Sequence, residues 1–121
     1  MRYMMLIYSG QGQLTPEQEK EIAMRHRAVM SEAKDQGIFH GAEPLQPTTT
    51  AITVRADGDG KTIATDGPFA ETKEQLAGYY ILECANSEEA IEWASKIPTG
   101  CLGRGGCIEV RPIRTMTIAV A

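Results

Sequence analysis

An α+β fold, with two helices laid on one face of a mainly antiparallel sheet, is what this 121-residue sequence predicts. Three observations carry that expectation. Apolar runs of strand length recur along the chain. Two segments combine helical periodicity with helix start signals. The strongest turn signal, Asp57-Gly58-Asp59-Gly60, separates two strand-like runs.

The first element is "RYMMLIY" at residues 2–8, nearly continuously apolar, which suits a central strand covered on at least one face. "SGQGQ" breaks that pattern. Thr15, Pro16 and Gln18 then form a helix start, with threonine as N-cap, proline at the first helical position and glutamine three residues after the cap. The helix is expected over about 16–36 and ends at Gly37, which tolerates the left-handed conformation common just past a helix end. Ile22, His26, Val29, Met30 and Ala33 follow the spacing of one helix face, so His26 is expected to point toward the core or a cleft.

"GIFHGAEPLQP" and "TTAITVRA" read as two strands of a hairpin or meander. In the second, Ile52 and Val54 alternate with Thr53 and Arg55. The turn at 57–60 returns the chain into "KTIATD". "PFAETKEQ" is expected as a short helical turn opened by Pro68, and "GYYILEC" as a further strand. Ser87 is expected to cap a second helix, "EEAIEWASKI", whose packing face is Ala90, Ile91 and Ala94 and which Pro98 ends. A glycine-rich loop, "TGCLGRGG", leads into a last strand, "CIEVRPI", and "TMTIAV" continues it or pairs elsewhere. The resulting order of β, α, two or three β, β, α, β is that of a ferredoxin-like sandwich. Such a sheet leaves its second face bare, and a second copy of the chain is expected to cover it.

Bulk properties narrow the function. One domain of this length buries roughly two thirds of the unfolded chain's surface, enough for a core without metals or disulfides. An apolar fraction of 42% and a charged fraction of 23% are those of an ordinary globular protein. The net charge of -4, with lysines and arginines scattered, argues against a nucleic-acid partner. No apolar run approaches the ~20 residues needed to span a bilayer, and no cleavable signal pattern opens the chain, so a cytoplasmic location is expected. Cys84, Cys101 and Cys107 are odd in number and lack CxxC spacing, which points to reduced thiols and gives no zinc site.

Chemistry centres on His26. An imidazole titrates near neutral pH, so a partly buried one facing a carboxylate can move a proton. Asp66 is the candidate partner, although Asp before Gly-Pro is equally a turn residue. If "DGPF" folds over the cleft, Pro68 and Phe69 contact the substrate, while Lys73 or Arg111 holds an anionic group. Elimination or isomerisation by such groups needs no cofactor. Two isolated histidines form no metal cluster, and no dinucleotide, phosphate-loop or serine-hydrolase motif is present.

Three motifs in order, "DGPFAETKEQLAGYYILE", "AIEWASKIP" and "IEVRPI", together with the early "YMMLIY" and "AEPLQP", give a resemblance to the YCII-related family, in the branch named for its DGPF motif. It covers nearly the whole chain. The resemblance implies a dimeric α/β barrel in which two sheets pack face to face, giving a homodimer. It implies an acid/base pair of histidine and aspartate in some relatives, and a dehydrochlorinase activity on a substituted aromatic ring in one relative. His26 matches the helix histidine. The aspartate of those relatives lies just before the proline that ends the second helix, where this chain has Ile97 before Pro98. Asp66 is the replacement considered. The branch's frequent neighbourhood with ECF-type sigma factors implies a sigma-factor partner, so a ligand-binding or interaction module stands as the alternative to an enzyme.

Overall fold

The computed structural model describes residues 1–10, 13–99 and 105–116. Among them the order is β1 (Arg2–Gly10), α1 (Pro16–Asp35), β2 (Phe39–Pro44), a 3-10 turn (Thr48–Thr50), β3 (Ile52–Ala56), β4 (Thr62–Asp66), β5 (Glu74–Glu83), α2 (Ser87–Lys96) and β6 (Gly106–Pro112). Strands β2, β5, β1 and β6 lie side by side in that order, every neighbour antiparallel. Strands β3 and β4 form a separate two-stranded ribbon. With the ribbon set aside, the order and the sheet topology are those of a ferredoxin-like sandwich.

The start of α1 is built as its sequence implies. Gln18 N–H donates to Thr15 Oγ1 at 3.1 Å, and Thr15 N–H donates to Gln18 Oε1 at 2.9 Å. Such a capping box satisfies two otherwise orphaned donors and stabilises the helix by about 1 kcal/mol. At the other end Gly37 takes φ of 73°, and the N–H of Ile38 donates to the Ala33 carbonyl, closing the helix.

Alternation along β1 and β5 separates the two sheet faces. Tyr3, Met5 and Ile7 share the helix-covered face with Tyr80 and Leu82, and Val29 and Ala33 of α1 pack onto them with Ala90, Trp93 and Ala94 of α2. The two helices are joined at the surface by an ion pair from Lys96 Nζ to Glu32 Oε1 at 2.8 Å, and the same ammonium lies over the Trp93 ring. The opposite sheet face carries Met4, Leu6, Tyr8, Leu76, Tyr79 and Ile81. No helix covers it.

Four local expectations are corrected. Strand β2 pairs with β5 rather than with β3, because the chain between them crosses to start the ribbon. Asn86, not Ser87, caps α2: its Oδ1 accepts from Glu89 N–H at 2.9 Å, and Ser87 becomes the first helical residue. Ile91 is 60% exposed and Trp93 takes its place in the core, since positions 90, 93, 94 and 97 follow one face and 91 lies about 100° off it. The "PFAETKEQ" segment forms bends instead of a helical turn, and β5 begins early, at Glu74. There Gln75 Nε2 donates to the carbonyls of Ala70 and Thr72, binding up the acceptors that a helical ladder would have used. The turn at 57–60 closes the ribbon as expected, with Asp57 Oδ1 accepting from the N–H groups of Asp59 and Lys61. The "TGCLGRGG" loop, apart from its ends, and most of "TMTIAV" lie outside the described residues.

Candidate functional site

A cavity of about 530 Å³ opens between the first half of α1 and the end of the sheet where β1, β5 and β2 run together. That volume suits a small organic ligand. Its walls are mostly apolar, with Leu14, Ile22 and Met30 above and Ile7, Ala42 and Pro44 below. One polar feature interrupts them. His26 reaches in from α1, and its Nδ1 lies 2.7 Å from Tyr80 Oη, which rises from β5. The tyrosine hydroxyl also donates to the His26 carbonyl at 3.3 Å, and the two rings are tilted by 32° with centroids 5.7 Å apart.

The periodicities explain the meeting. Position 26 is four residues after Ile22 and four before Met30, on the face of α1 turned to the sheet. Position 80 alternates with Leu82 and Cys84, on the sheet face turned to α1. A tyrosine facing inward needs a partner for its hydroxyl, and the half-buried imidazole supplies one.

Burial governs the electrostatics of both groups. Loss of water lowers the His26 pKa below its ordinary 6.5, so the ring is neutral at physiological pH. The same cause pushes Tyr80 up to about 12, so its hydroxyl keeps its proton and serves as a hydrogen-bonding group. Charge enters at the rim, where Glu19 and Arg27 of α1 line the opening with exposed side chains; Glu43 of β2 also borders it, but its pairing with Tyr79 puts its side chain on the opposite sheet face.

The other residues singled out from the sequence are not brought to His26. Asp66 ends β4 in the ribbon, paired with Ile52; it is exposed, lines no part of the cavity and forms no hydrogen bond or ion pair with His26. The turn after it is made by Gly67 at φ of 100°, whose carbonyl accepts from Thr53 Oγ1 at 2.7 Å. Pro68 is half-buried and Phe69 is 80% exposed, both away from the cavity. Lys73 is exposed in the segment leading to β5. Arg111 pairs in register with Met4, so it belongs to the sheet face opposite the helices, and its Nε donates to Glu109 Oε2 at 3.1 Å. Neither Lys73 nor Arg111 lines this cavity.

Tyr80 is the cavity residue bonded to His26 that sequence reading passes over. The available signal was its alternation with Leu82 and Cys84, which turns its hydroxyl inward. His40, the second histidine, sits at the surface, with Nε2 3.2 Å from Glu83 Oε1. Glu83 also pairs with the Met1 ammonium. Cys84 is buried and Cys107 exposed, both as free thiols, while Cys101 lies outside the described residues. Among the described residues no group of three or more His, Cys, Asp or Glu is placed to hold a metal, and no helix is long and apolar enough to cross a membrane.

The model of the YCII-related domain matches residues 1–117. An uncharacterised protein of Rhizobium meliloti (strain 1021) is 38% identical over 116 residues, covering 93% of this chain and 92% of its own length.

Proposed function

The chain belongs to the YCII-related family, and from that premise we propose that it binds a small apolar or aromatic molecule beneath α1 and acts on it by proton transfer through His26. The observation that carries this reading is a neutral imidazole in the wall of an otherwise apolar cavity, with one nitrogen already bonded to Tyr80. A neutral imidazole with a lowered pKa is a proton acceptor at pH 7. In an isomerisation it would take a proton from one atom of the ligand and return it to another. In an elimination it would take a C–H proton while the leaving group departs with its electron pair. With the Glu19 carboxylate and the Arg27 guanidinium offsetting each other at the rim, the apolar walls favour a neutral ligand over an anionic one. Tyr80 replaces Asp66 as the proposed neighbour of the base.

A homodimer forms part of the same proposal. Support comes from the second sheet face, where six large apolar side chains of β1 and β5 have no helix of the described residues over them. A second copy packed there would make the α/β barrel expected of the DGPF branch. A monomeric mass in light-scattering chromatography at micromolar concentration would remove this part of the proposal.

Ligand binding is tested by a thermal-shift screen of a metabolite library on the wild type and on His26→Ala. A ligand at about 100 times its Kd stabilises the protein by roughly 2.7 kcal/mol. The expected hit stabilises the wild type and loses most of that effect in the variant. A screen without hits, together with capture of an ECF-type sigma factor, would replace the enzyme reading with an interaction module.

A further inference from the structure

We infer that Tyr80 locks His26 in the Nδ1–H tautomer, leaving Nε2 as a lone-pair acceptor for the cavity, so that the site selects ligands presenting an O–H or N–H donor. The inference rests on the small-molecule reading above and specifies which ring nitrogen works and what it recognises. A phenol has one proton to give. The His26 backbone carbonyl, 3.3 Å from the Tyr80 hydroxyl, can only accept, so the arrangement that satisfies both contacts has the phenol donating to the carbonyl and Nδ1–H donating across 2.7 Å to the phenolic oxygen. A neutral imidazole carries one N–H, and with that proton on Nδ1 the other nitrogen is bare. Among the described residues Nε2 has no hydrogen-bond partner, although His26 lines the cavity.

Tyr80 is thus a positioning residue. Free imidazole side chains exchange between two tautomers, and an acceptor held against one nitrogen decides between them. Burial strengthens the selection by keeping both rings uncharged near neutral pH. The charged groups facing this region are Glu19 and Arg27 from α1; Glu43 of β2 and Tyr79 of β5 border the cavity with side chains turned to the other sheet face, and β1 contributes the uncharged Ile7 and Ser9. None of them is hydrogen-bonded to the ring.

The ligand consequence follows from the same geometry. An acceptor in an apolar wall rewards a donor and leaves an acceptor-only ligand with a poor contact. Phenol and anisole are suitable probes, because they share a ring and differ in whether the oxygen carries a proton.

Long-range proton–nitrogen correlation spectra of the full-length 15N-labelled chain, recorded at about pH 8, above the ordinary imidazole range, read the tautomer directly. The expected spectrum has a protonated, pyrrole-type Nδ1 and a bare, pyridine-type Nε2 for His26, with His26→Gln identifying its signals against those of His40. In Tyr80→Phe the proton is expected to redistribute toward Nε2. Phenol is expected to bind about fivefold more tightly than anisole, the worth of one ordinary hydrogen bond, and to move the Nε2 resonance. A wild-type ring protonated on Nε2 overturns the inference, and this result needs no variant to fold. An unchanged tautomer in folded Tyr80→Phe, or equal binding of phenol and anisole, also overturns it. If the tautomer is as stated and neither probe binds, the small-molecule reading falls while the assignment of the ring stands.

Discussion

Gly78 of β5 lies so close to Glu43 of β2 that a Cβ placed on it would stand 2.8 Å from the Glu43 carbonyl oxygen and 3.3 Å from Cα of Pro44. Both contacts are with backbone, which cannot swing aside as a side-chain end can. The three residues line the cavity, so this close approach sets the distance between its floor and its edge.

Gly78→Ala is therefore expected to push β2 outward and to destabilise the protein by about 1–3 kcal/mol, the usual cost of overpacking. Denaturant unfolding reads the loss. An unchanged midpoint would mean that the edge strand yields without cost.

Tyr80→Phe removes a hydroxyl that serves both His26 Nδ1 and the His26 carbonyl. The expected cost is about 1 kcal/mol, with some of it coming from the unpaired imidazole left behind. Combined with His26→Ala in a double-mutant cycle, the pair should show a coupling of about 0.5–3 kcal/mol, as contacting residues do. Additivity would mean that the bond contributes nothing in solution.

The pH dependence follows from two shifts of opposite sign. His26 has a folded-state pKa below 6.5, so on acidification the unfolded chain takes up this proton first. Its contribution to stability is present above 6.5 and lost as pH falls through the folded value. Tyr80 is raised from 10.0 to about 12, so its contribution is present below 10 and lost as pH rises toward 12. Unfolding midpoints of the wild type across pH should fall at both ends. His26→Gln should flatten the acid limb and Tyr80→Phe the alkaline limb.

Burial separates two apolar residues of similar prominence in the sequence. Met5 is completely buried in the sheet's helix-facing side, and Met5→Ala should cost about 2–5 kcal/mol. Phe69, the last residue of the motif "DGPF", stands out in solvent, and Phe69→Ala should change monomer stability by no more than about 0.5 kcal/mol. Thermal denaturation of the two variants makes the comparison.

Local patterns carried most of the fold. The capping box at Thr15 and Gln18, the glycine stop at Gly37 and the turn at 57–60 act through neighbours only a few residues away, so each is readable from the chain by itself. The face of α1 that holds His26 was equally legible, because helical geometry alone turns positions 22, 26 and 30 to one side. What β2 pairs with was decided by tertiary structure, since strand partners are separated by long stretches of chain and apolar alternation does not name them. The same holds for the neighbour of His26. Position 66 and position 80 both offered a polar group at a strand end or face. Only the assembled sheet, which puts β5 under α1 and carries β4 off into the ribbon, gives the histidine a tyrosine instead of an aspartate.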